Sequence, residues 1–285
     1  MDAATSCPPV PGATLPFVKM QALGNDFVVL DGHKPLPDLT PDLLRRLADR
    51  RHGIGCDQIL VVDPAPSVDA DVGYRIFNAD GSTVGQCGNG VRCVAVFAAR
   101  QGIASQARLR VQTQSTRMIV ERLPDGQVRV EMAVPDFRPQ ALPLQRDVAP
   151  EYDIDGTTVR AVSMGNPHLV LEVPRVDEAP VATLGPVLAT HPVVPHGANV
   201  GFAEVLSPTA LRLRVYERGA GETPACGSGA CGAVAALVQA GRLQAGAAVT
   251  VHLPGGTLQI EWAGGDQPLF MTGPACWVYQ GQYSL

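Results

Sequence analysis

Two copies of one pattern run through this chain of 285 residues, and the repeat limits its possible folds more than any other feature. ALGNDFVVLD (22–31) aligns with SMGNPHLVLE (163–172) at an offset of 163 − 22 = 141. QCGNG (86–90) aligns with ACGSG (225–229) in the same order, at an offset of 225 − 86 = 139. A period of this length is far too long for a solenoid. The repeat therefore predicts two domains of one fold, related by a pseudo-twofold axis.

The aligned positions carry polar or reactive side chains. If each half presents its set at the same edge, the two sets face each other across the cleft between the domains. Such clefts are favoured ligand sites, so we expect the functional site there. The aligned pairs are Asn25 with Asn166, Gln58 with Asn199, Asn78 with Glu217, and Cys87 with Cys226.

Short alternating segments and one apolar helix make up each half. FVKM (17–20) and DFVVLD (26–31) are predicted strands around a turn at Gly24-Asn25. Thr40 followed by Pro41 predicts the start of a short amphipathic helix. In each half a glycine-rich loop then leads into an apolar helix, VRCVAVFAARQ in the first and ACGAVAALVQA in the second.

The charge balance argues against several classes of protein. With 27 acidic and 22 basic residues the formal net charge is −5, so the chain lacks the basic surface typical of nucleic-acid binders. The same balance gives no reason to expect adhesion to an anionic membrane. Lys19 and Lys34 are the only lysines, which makes a pyridoxal phosphate Schiff base improbable. We predict no cofactor, no nucleic-acid partner and no membrane partner.

Seven cysteines are too few, and odd in number, for a disulfide framework in a chain of this length. The first residues lack the basic and apolar regions of a secretory signal, so a reducing cytoplasm is the expected compartment. The cysteine spacings do not match a zinc site, and we predict no metal. Five of the cysteines are interpreted as buried packing residues: Cys7, Cys56, Cys93, Cys231 and Cys276.

Cys87 and Cys226 differ from the others because each stands directly before a Gly-x-Gly sequence and an apolar helix. A helix N-terminus offers unpaired N–H groups and partial positive charge, so we expect the pKa of each thiol to be lowered toward neutrality. Two converging helix N-termini would also bind a carboxylate. One thiolate could then remove an α-proton while the other thiol delivers a proton to the opposite face, which inverts the carbon.

These motifs resemble those of the diaminopimelate epimerases, cofactor-independent enzymes that interconvert L,L- and meso-diaminopimelate in lysine and peptidoglycan synthesis. The resemblance runs from about Phe17 to the C-terminus, with a longer N-terminal tail and CGSG in the second loop as small departures. The matching segments are GNDF (24–27), GIGCDQ (53–58), FNADG (77–81), QCGNGVRC (86–93), MGNPH (164–168), GANVGF (197–202) and YERGAGETPACGSGAC (216–231).

The resemblance implies an α/β fold of the α+β type, with two pseudo-twofold-related domains, each a mainly antiparallel sheet wrapped around a central helix. Residues 1–16 would be a flexible tail. The N-terminal domain would span 17–131 and be completed by 273–285, and the C-terminal domain would span 132–272. The substrate would be a small diamino dicarboxylate, and a homodimer is an expectation from the family.

The resemblance also implies residue roles. Cys226 would accept the proton of the L,L-isomer and Cys87 would donate one. Arg218 suits the distal carboxylate through a bidentate pair, and His168 and Glu217 could tune the thiol pKa values. The expected carboxylate site consists of Gly88, Asn89, Gly227 and Ser228, and the expected lining of Asn25, Gln58, Asn78, Asn166, Asn199, Glu217 and Arg218.

Two other functions remain open at this point. A related racemase acting on proline or hydroxyproline would have a small pocket and no distal carboxylate clamp. A non-catalytic protein could use the cleft as an amino-acid sensor, or Cys87 and Cys226 as a redox switch.

Overall fold

The computed structural model describes residues 12, 14–85, 87–114, 116–138, 140–142, 144, 147, 149 and 151–285. Regular structure begins at Thr14, three residues earlier than the sequence predicts, because Thr14–Pro16 already belong to the first strand. Most of the expected N-terminal tail lies outside the described residues.

The first half contains two helices and eight strands among its described residues: β1 (Thr14–Ala22), β2 (Asn25–Asp31), α1 (Pro41–Ala48), β3 (Gln58–Asp63), β4 (Val72–Asn78), β5 (Thr83–Val84), α2 (Gly88–Arg100), β6 (Arg108–Gln112), β7 (Arg117–Arg122) and β8 (Val128–Met132). The rest of the chain follows the same order after one additional strand, and it ends in a second additional strand. Its elements are β9 (Tyr152–Ile154), β10 (Thr157–Ser163), β11 (Pro167–Glu172), a 3₁₀ turn (Val176–Glu178), α3 (Val181–Ala189), β12 (Asn199–Ser207), β13 (Ala210–Glu217), β14 (Gly221–Thr223), α4 (Gly227–Gln239), β15 (Ala248–Leu253), β16 (Gly256–Glu261), β17 (Leu269–Gly273) and β18 (Cys276–Ser284).

The turn between β1 and β2 lies one residue earlier than predicted. Leu23 and Gly24 both have positive φ, at 56° and 83°, and Ala22 pairs directly with Asn25. Two consecutive positive φ angles define the tight turn that matches the twist of an antiparallel hairpin. Asn25 is therefore the first residue of β2, and the rigid end of a strand holds its backbone.

Strand register reproduces the sequence repeat. β2 and β3 pair in parallel with Phe27 opposite Gln58, and β11 and β12 pair in parallel with His168 opposite Asn199. The offset is the same on both strands, since 168 − 27 = 141 and 199 − 58 = 141. The remaining pairs are mostly antiparallel, as predicted, and the exceptions, β4 with β6 and β13 with β15, again correspond between the halves.

The pseudo-twofold relation is most direct where the halves join. β8 pairs antiparallel with β17, and Glu131 stands opposite Phe270. These two residues are equivalent in the repeat, since 270 − 131 = 139. A strand that pairs with its own equivalent places the local twofold axis between the two residues, so one continuous sheet passes from one half into the other.

The last strand returns to the first half. β18 follows the second half along the chain but pairs antiparallel with β1. β9 instead pairs antiparallel with β10, the next strand along the chain, in a local hairpin. The first half is therefore completed by a segment from the end of the chain.

The sheet of each half wraps around one helix, as predicted. α2 packs on β1, β2, β3, β7, β8 and β18, and α4 packs on β10, β11, β12, β16 and β17. Both helices are buried nearly throughout because most of their side chains are small or apolar, with Asn89 and Arg92 as the buried polar exceptions on α2. Of the helices in the described part of the chain, none is long and apolar enough to cross a membrane.

The outer helices α1 and α3 occupy the same place in the two halves, but only α1 was evident from the sequence. Thr40 caps α1 by accepting a hydrogen bond from the N–H of Leu43 at 3.3 Å, as predicted. α3 has Pro180 at its N-cap and Pro186 inside, without a side-chain cap. Proline in a helix interior removes a hydrogen bond, so the local sequence conceals this helix.

Candidate active site

The two repeat cysteines are the N-cap residues of the two central helices. Cys87 precedes α2, and its Sγ accepts a hydrogen bond from the N–H of Gly90 at 3.2 Å. Cys226 precedes α4, and its Sγ lies 3.7 Å from the hydroxyl of Ser228. Both thiols are free. The fold therefore gives each half one thiol beside the N–H groups that open its helix.

The two helix N-termini meet each other. Nδ2 of Asn89, in the first turn of α2, donates to the carbonyl of Ala225 at 3.0 Å. Met271 of β17 packs between the two ends: a Cβ added at Gly88 would lie 3.2 Å from its methyl group, and one added at Gly227 would lie 3.1 Å from its sulfur. Glycine at both positions allows this close approach.

The expected lowering of the thiol pKa values is wrong for the substrate-free protein. Loss of hydration raises the pKa of Cys87, and the N–H groups of Gly90 and Asn89 offset this only in part. The pKa of Cys226 is raised well above its ordinary value by burial first and by the negative charge of Glu217 second. Helix N-termini do favour thiolates, but desolvation outweighs them here. The empty site therefore holds both thiols mainly in the protonated form.

Hydrogen-bonded amides surround Cys87. Nδ2 of Asn25 donates to the carboxylate of Asp57 at 3.0 Å, and its Oδ1 accepts from Asn89 at 3.4 Å. On the next strands, Nε2 of Gln58 donates to Oδ1 of Asn78 at 3.0 Å. Oε1 of Gln58 is buried and has no hydrogen-bond partner among the described residues. A buried acceptor without a partner is costly, so this oxygen is well placed to receive a donor from a ligand.

The equivalent residues surround Cys226. Nδ2 of Asn166 donates to the hydroxyl of Ser228 at 3.2 Å, and Oδ1 of Asn166 lies 3.0 Å from Nε2 of His168. Oδ1 of Asn199 accepts from the backbone N–H of Arg218 at 2.9 Å. Within each half, the structure therefore joins these polar residues in hydrogen-bonded pairs, Gln58 with Asn78 in the first and Asn166 with Ser228 in the second.

His168 is almost fully buried and packs against Gly232 of α4. Burial first, and the charge of Arg218 second, lower its pKa to about 3. The imidazole is therefore neutral near pH 7, and with Asn166 Oδ1 as acceptor its Nε2 carries the proton. His168 contacts Asn166, which donates to Ser228, whose hydroxyl lies 3.7 Å from Sγ of Cys226.

Glu217 is the last residue of β13 and lies beside the second thiol, and Arg218 follows it. The carboxylate of Glu217 accepts a hydrogen bond from the hydroxyl of Thr223. Arg218 is exposed, its side chain lies over Gly197, and Nη1 donates to the carbonyl of His196 at 2.5 Å. Of the described acidic side chains, none forms an ion pair with Arg218, which leaves its guanidinium available for an anionic ligand.

The other cysteines lie away from this chemistry. Cys56, Cys93 and Cys231 are buried, as predicted, and burial raises the pKa of Cys56 and of Cys231 to about 12. Cys276 is exposed on β18, so its interpretation as a buried packing residue is wrong; side chains of an edge strand alternate toward solvent. Cys7 lies outside the described residues. Within the described ranges, no three His, Cys, Asp or Glu side chains are grouped to hold a metal ion.

Three residues of this region were not singled out from the sequence. Arg92 is a fully buried arginine in the apolar helix α2, and its Nη2 donates to Oδ1 of Asn89 at 3.1 Å. Asp57 holds Asn25, and Met271 fills the space between the helix ends. A charged residue at a core position of an apolar helix is the signal that could have identified Arg92.

Two mainly antiparallel halves, each wrapped around a central helix, define a class of fold found in several solved structures. A predicted epimerase from Pseudomonas aeruginosa has a TM-score of 0.71 at 17% identity, over 95% of this chain and 99% of that one. The Bacillus anthracis phenazine biosynthesis protein of the PhzF family has a TM-score of 0.68 at 16% identity, over 96% and 100%. A hydroxyproline epimerase from Agrobacterium vitis has a TM-score of 0.66 at 16% identity, over 95% and 93%.

The particular family follows from sequence. The diaminopimelate epimerase family model matches residues 17–137 and 160–278. A diaminopimelate epimerase from Halorhodospira halophila (strain DSM 244 / SL1) is 51% identical over 276 residues, which cover 94% of this chain and 95% of that protein. The chain belongs to the diaminopimelate epimerase family.

Proposed function

We propose that this protein epimerises L,L-diaminopimelate to meso-diaminopimelate by proton transfer between Cys226 and Cys87. The observation that carries the proposal is the junction of the two helix N-termini: each begins at one of these thiols, and Asn89 bonds the end of α2 to the loop before α4. In a member of the diaminopimelate epimerase family, this arrangement supplies the two acid–base groups that inversion at a carbon requires.

The N–H groups of both helices would hold the reacting carboxylate. Gly88 and Asn89 open α2, and Gly227 and Ser228 open α4. Helix N-termini bind anions through free N–H groups and the helix dipole. When the α-proton leaves, negative charge spreads from the carbon into the carboxylate, and the same donors stabilise it.

The proton itself moves between the thiols. The thiolate of Cys226 removes the α-proton of the L,L-isomer, and the thiol of Cys87 gives its proton to the opposite face of the carbon. The product is the meso-isomer, with Cys226 protonated and Cys87 ionised, so the next turnover requires the proton to pass back. Both cysteines must stay reduced, which supports a reducing, cytoplasmic compartment.

The remaining polar residues distinguish one end of the substrate from the other. The buried Oε1 of Gln58 and the carboxylate of Glu217 are acceptors suited to ammonium groups. The guanidinium of Arg218 has no ion-pair partner among the described residues and can donate hydrogen bonds to the distal carboxylate. Asn25, Asn78, Asn166 and Asn199 complete the lining. His168 and Glu217 adjust the second thiol, the first through Asn166 and the second through its charge.

A homodimer is part of the proposal. β18 is an edge strand, and two of its large apolar side chains, Val278 and Tyr279, are exposed by 54% and 46%. Exposed apolar side chains along an edge strand support pairing with a second copy.

Proton NMR in deuterium oxide tests the proposed reaction. Reduced protein is mixed with L,L-diaminopimelate, and in parallel with L-proline and L-glutamate. We expect the α-proton signal to disappear for diaminopimelate alone, with conversion to the meso-isomer. Cys87→Ser and Cys226→Ser should each lower turnover by at least about a hundredfold, because an alcohol is a far weaker acid than a thiol. Cys276→Ser, at an exposed position on β18 and not at a helix N-cap, is the matched control.

The other outcomes have distinct meanings. Exchange with proline would assign the protein to the proline or hydroxyproline racemases. Folded, reduced protein that exchanges none of the three amino acids would overturn the proposed reaction and favour a sensor or a redox switch. Full activity of both serine variants would overturn the two-thiol mechanism while leaving the substrate in place.

A further inference from the structure

Asn25 and Asn166 hold the same position in the two halves, yet their amides point in opposite senses. Asn25 turns its Nδ2 away from the helix, to the carboxylate of Asp57 at 3.0 Å. Its Oδ1 faces the helix and accepts from Nδ2 of Asn89 at 3.4 Å. In the first half, therefore, the donor of the strand amide points outward and its acceptor points toward the helix end.

The second half reverses this order. Asn166 turns its Nδ2 toward the helix and donates to the hydroxyl of Ser228 at 3.2 Å. Its Oδ1 faces away from Ser228, to Nε2 of the neutral His168 at 3.0 Å. Ser228 is the repeat equivalent of Asn89, since 228 − 89 = 139, so the same pair of positions is joined by a hydrogen bond of opposite direction.

Two groups of fixed hydrogen-bonding character determine the sense in the first half. A carboxylate only accepts hydrogen bonds and a guanidinium only donates them. Asp57 at one end therefore requires Nδ2 of Asn25 to face it. Arg92 at the other end donates to Asn89 at 3.1 Å and requires the Oδ1 of Asn89 to face it. The donor of Asn89 must then point back to Asn25, as it does.

Arg92 is well anchored for this role. It is fully buried, and besides Asn89 it donates to the carbonyls of Pro274 at 3.1 Å and Gly88 at 3.3 Å. Among the described residues it has no carboxylate within ion-pair distance. A buried charge without a counter-ion is costly. The guanidinium of Arg92 nevertheless lies in the first turns of α2, the helix that begins at Cys87.

We propose that Asp57 and Arg92 are positioning residues that fix the amide orientations of Asn25 and Asn89 around the reacting substrate. The inference rests on the proposed epimerase function. Asn89 gives both side-chain hydrogens to Asn25 and Ala225, so its amide bridges the ends of the two central helices. Asn25 has one amide hydrogen beyond its bond to Asp57, and this hydrogen would serve the substrate.

A turned amide would present an oxygen where the site needs a donor. The carboxylate gains negative charge as the α-proton leaves, so an oxygen facing it would disfavour the transition state more than the ground state. We therefore expect loss of either positioning residue to lower kcat as well as kcat/KM.

Asp57→Asn tests the acceptor end. Arg50 donates to Oδ1 of Asp57 at 2.8 Å, while Oδ2 serves Asn25. An asparagine at 57 has one oxygen, and if Arg50 takes it, an NH₂ group faces the NH₂ of Asn25. We expect kcat/KM for L,L-diaminopimelate to fall by about 10- to 100-fold, the range for a lost charge-assisted hydrogen bond. Asp71→Asn, which breaks a similar pair with Arg110 on the far edge, is the matched control.

Arg92→Lys and Arg92→Met test the donor to Asn89. Together they separate the effect of Arg92 on the orientation of the Asn89 amide from the effect of its positive charge. The charged or titratable groups that act on Cys87 are Arg92 and Cys93 on α2, Glu217 on β13 and Tyr74 on β4. The positive charge of Arg92 lowers the pKa of Cys87, which must be protonated to donate to the L,L-isomer, so loss of that charge in Arg92→Met should move the falling limb of kcat/KM to higher pH. Arg92→Lys should keep that limb in place while still losing about tenfold or more in kcat/KM, since an ammonium lacks the planar fork.

The possible outcomes distinguish failure of this inference from failure of the proposed function on which it rests. Inactive wild-type protein would overturn the proposed function and this inference together. Active wild-type protein with an unchanged Asp57→Asn variant would overturn the inference alone. If the arginine variants do not fold, Asp57→Asn decides the question, because Asp57 is partly exposed and the substitution keeps its shape. If the pH dependence of kcat/KM shifts equally in Asp57→Asn and Arg92→Met, the shift reports a general disturbance of the site. That result would also overturn the inference.

Discussion

Arg92 and Cys231 occupy the same position on the two central helices, and only Arg92 carries a charge. The equivalence follows from the repeat, since 231 − 92 = 139, and both side chains are fully buried. Burial raises the pKa of Cys231 to about 12, so its thiol stays neutral, whereas the guanidinium opposite it remains a donor. One fold used twice thus surrounds its two thiols with different charges, which a substrate with two different ends requires.

Arg218→Ala should weaken substrate binding with little effect on proton transfer. The guanidinium of Arg218 bonds only the carbonyl of His196 among the described residues, so it is free for the distal carboxylate. We expect KM to rise by about 10- to 100-fold, the range for a charge-assisted hydrogen bond, with kcat less affected. Steady-state kinetics measures both constants.

Arg212→Ala provides the control for that experiment. Arg212 lies on the same strand, but both of its terminal nitrogens are bound to Asp177, at 2.8 and 2.7 Å. Its KM should stay near the wild-type value. Equal effects of the two substitutions would contradict the assignment of Arg218 to the substrate.

Glu217→Gln should lower the pH at which a thiolate forms. Burial and the charge of Glu217 both raise the pKa of Cys226, and Glu217 also raises that of Cys87. Removing the negative charge therefore stabilises the thiolate, and its ultraviolet absorbance should rise at lower pH in the variant. Cys276→Ser serves as the background, so that the exposed thiol does not contribute.

The same substitution should change stability at alkaline pH. A thiol whose pKa is raised by folding stabilises the folded state below its unfolded pKa, and this contribution is lost as pH rises through the folded pKa. Urea unfolding should show wild-type protein losing stability at high pH, and Glu217→Gln losing less. Glu222→Gln, whose carboxylate pairs with Arg214 instead, is the control. An unshifted thiolate titration in Glu217→Gln would refute the electrostatic role.

His168→Phe should reduce activity without changing the pH profile. The pKa of His168 is lowered to about 3 by burial, so the ring is neutral across the range in which an ordinary histidine titrates. Phenylalanine is the residue at the equivalent position of the first half, Phe27, and it removes only the donor to Asn166. We expect kcat/KM to fall by about tenfold, as for one lost hydrogen bond. A rate limb near pH 6.5 that disappears in the variant would show that His168 titrates after all.

Gly255→Ala should destabilise the contact between the halves. Gly255 donates its N–H to the carbonyl of Pro224 at 2.8 Å, and a Cβ there would collide with the backbone carbonyl of Leu23. The free energy of unfolding should fall by about 2–3 kcal/mol, as for an overpacked site. Gly126→Ala meets nothing within 4 Å and carries only the strain of φ +85°, so a loss of about 1 kcal/mol is expected. Urea unfolding compares the two, and equal losses would show that the contact matters little.

Much of the architecture could be predicted from short stretches of the sequence. The repeat predicted equivalent positions that the strand register then reproduced, with Phe27 opposite Gln58 and His168 opposite Asn199. Thr40 predicted where α1 begins, whereas the glycines after the two repeat cysteines, predicted as loops, form the first turns of α2 and α4. These signals work because caps, glycines and hydrophobic periodicity act over only a few residues. α3 was not predicted for the same reason. Pro186 inside it is a local signal against a helix, and tertiary packing stabilises the helix nonetheless.

The repeat and the helix starts are encoded in neighbouring residues, so the sequence alone predicts two copies of one fold, each with a thiol at the start of its central helix. The electrostatics around those thiols depend instead on how the folded chain packs. The thiol pKa values rise because desolvation depends on everything packed around them, and a helix end alone suggested the opposite direction. The amide of Asn25 is turned by Asp57, and that of Asn89 by Arg92. Hydrogen-bond direction depends on which donors and acceptors meet in space, and the order of residues along the chain does not contain that information.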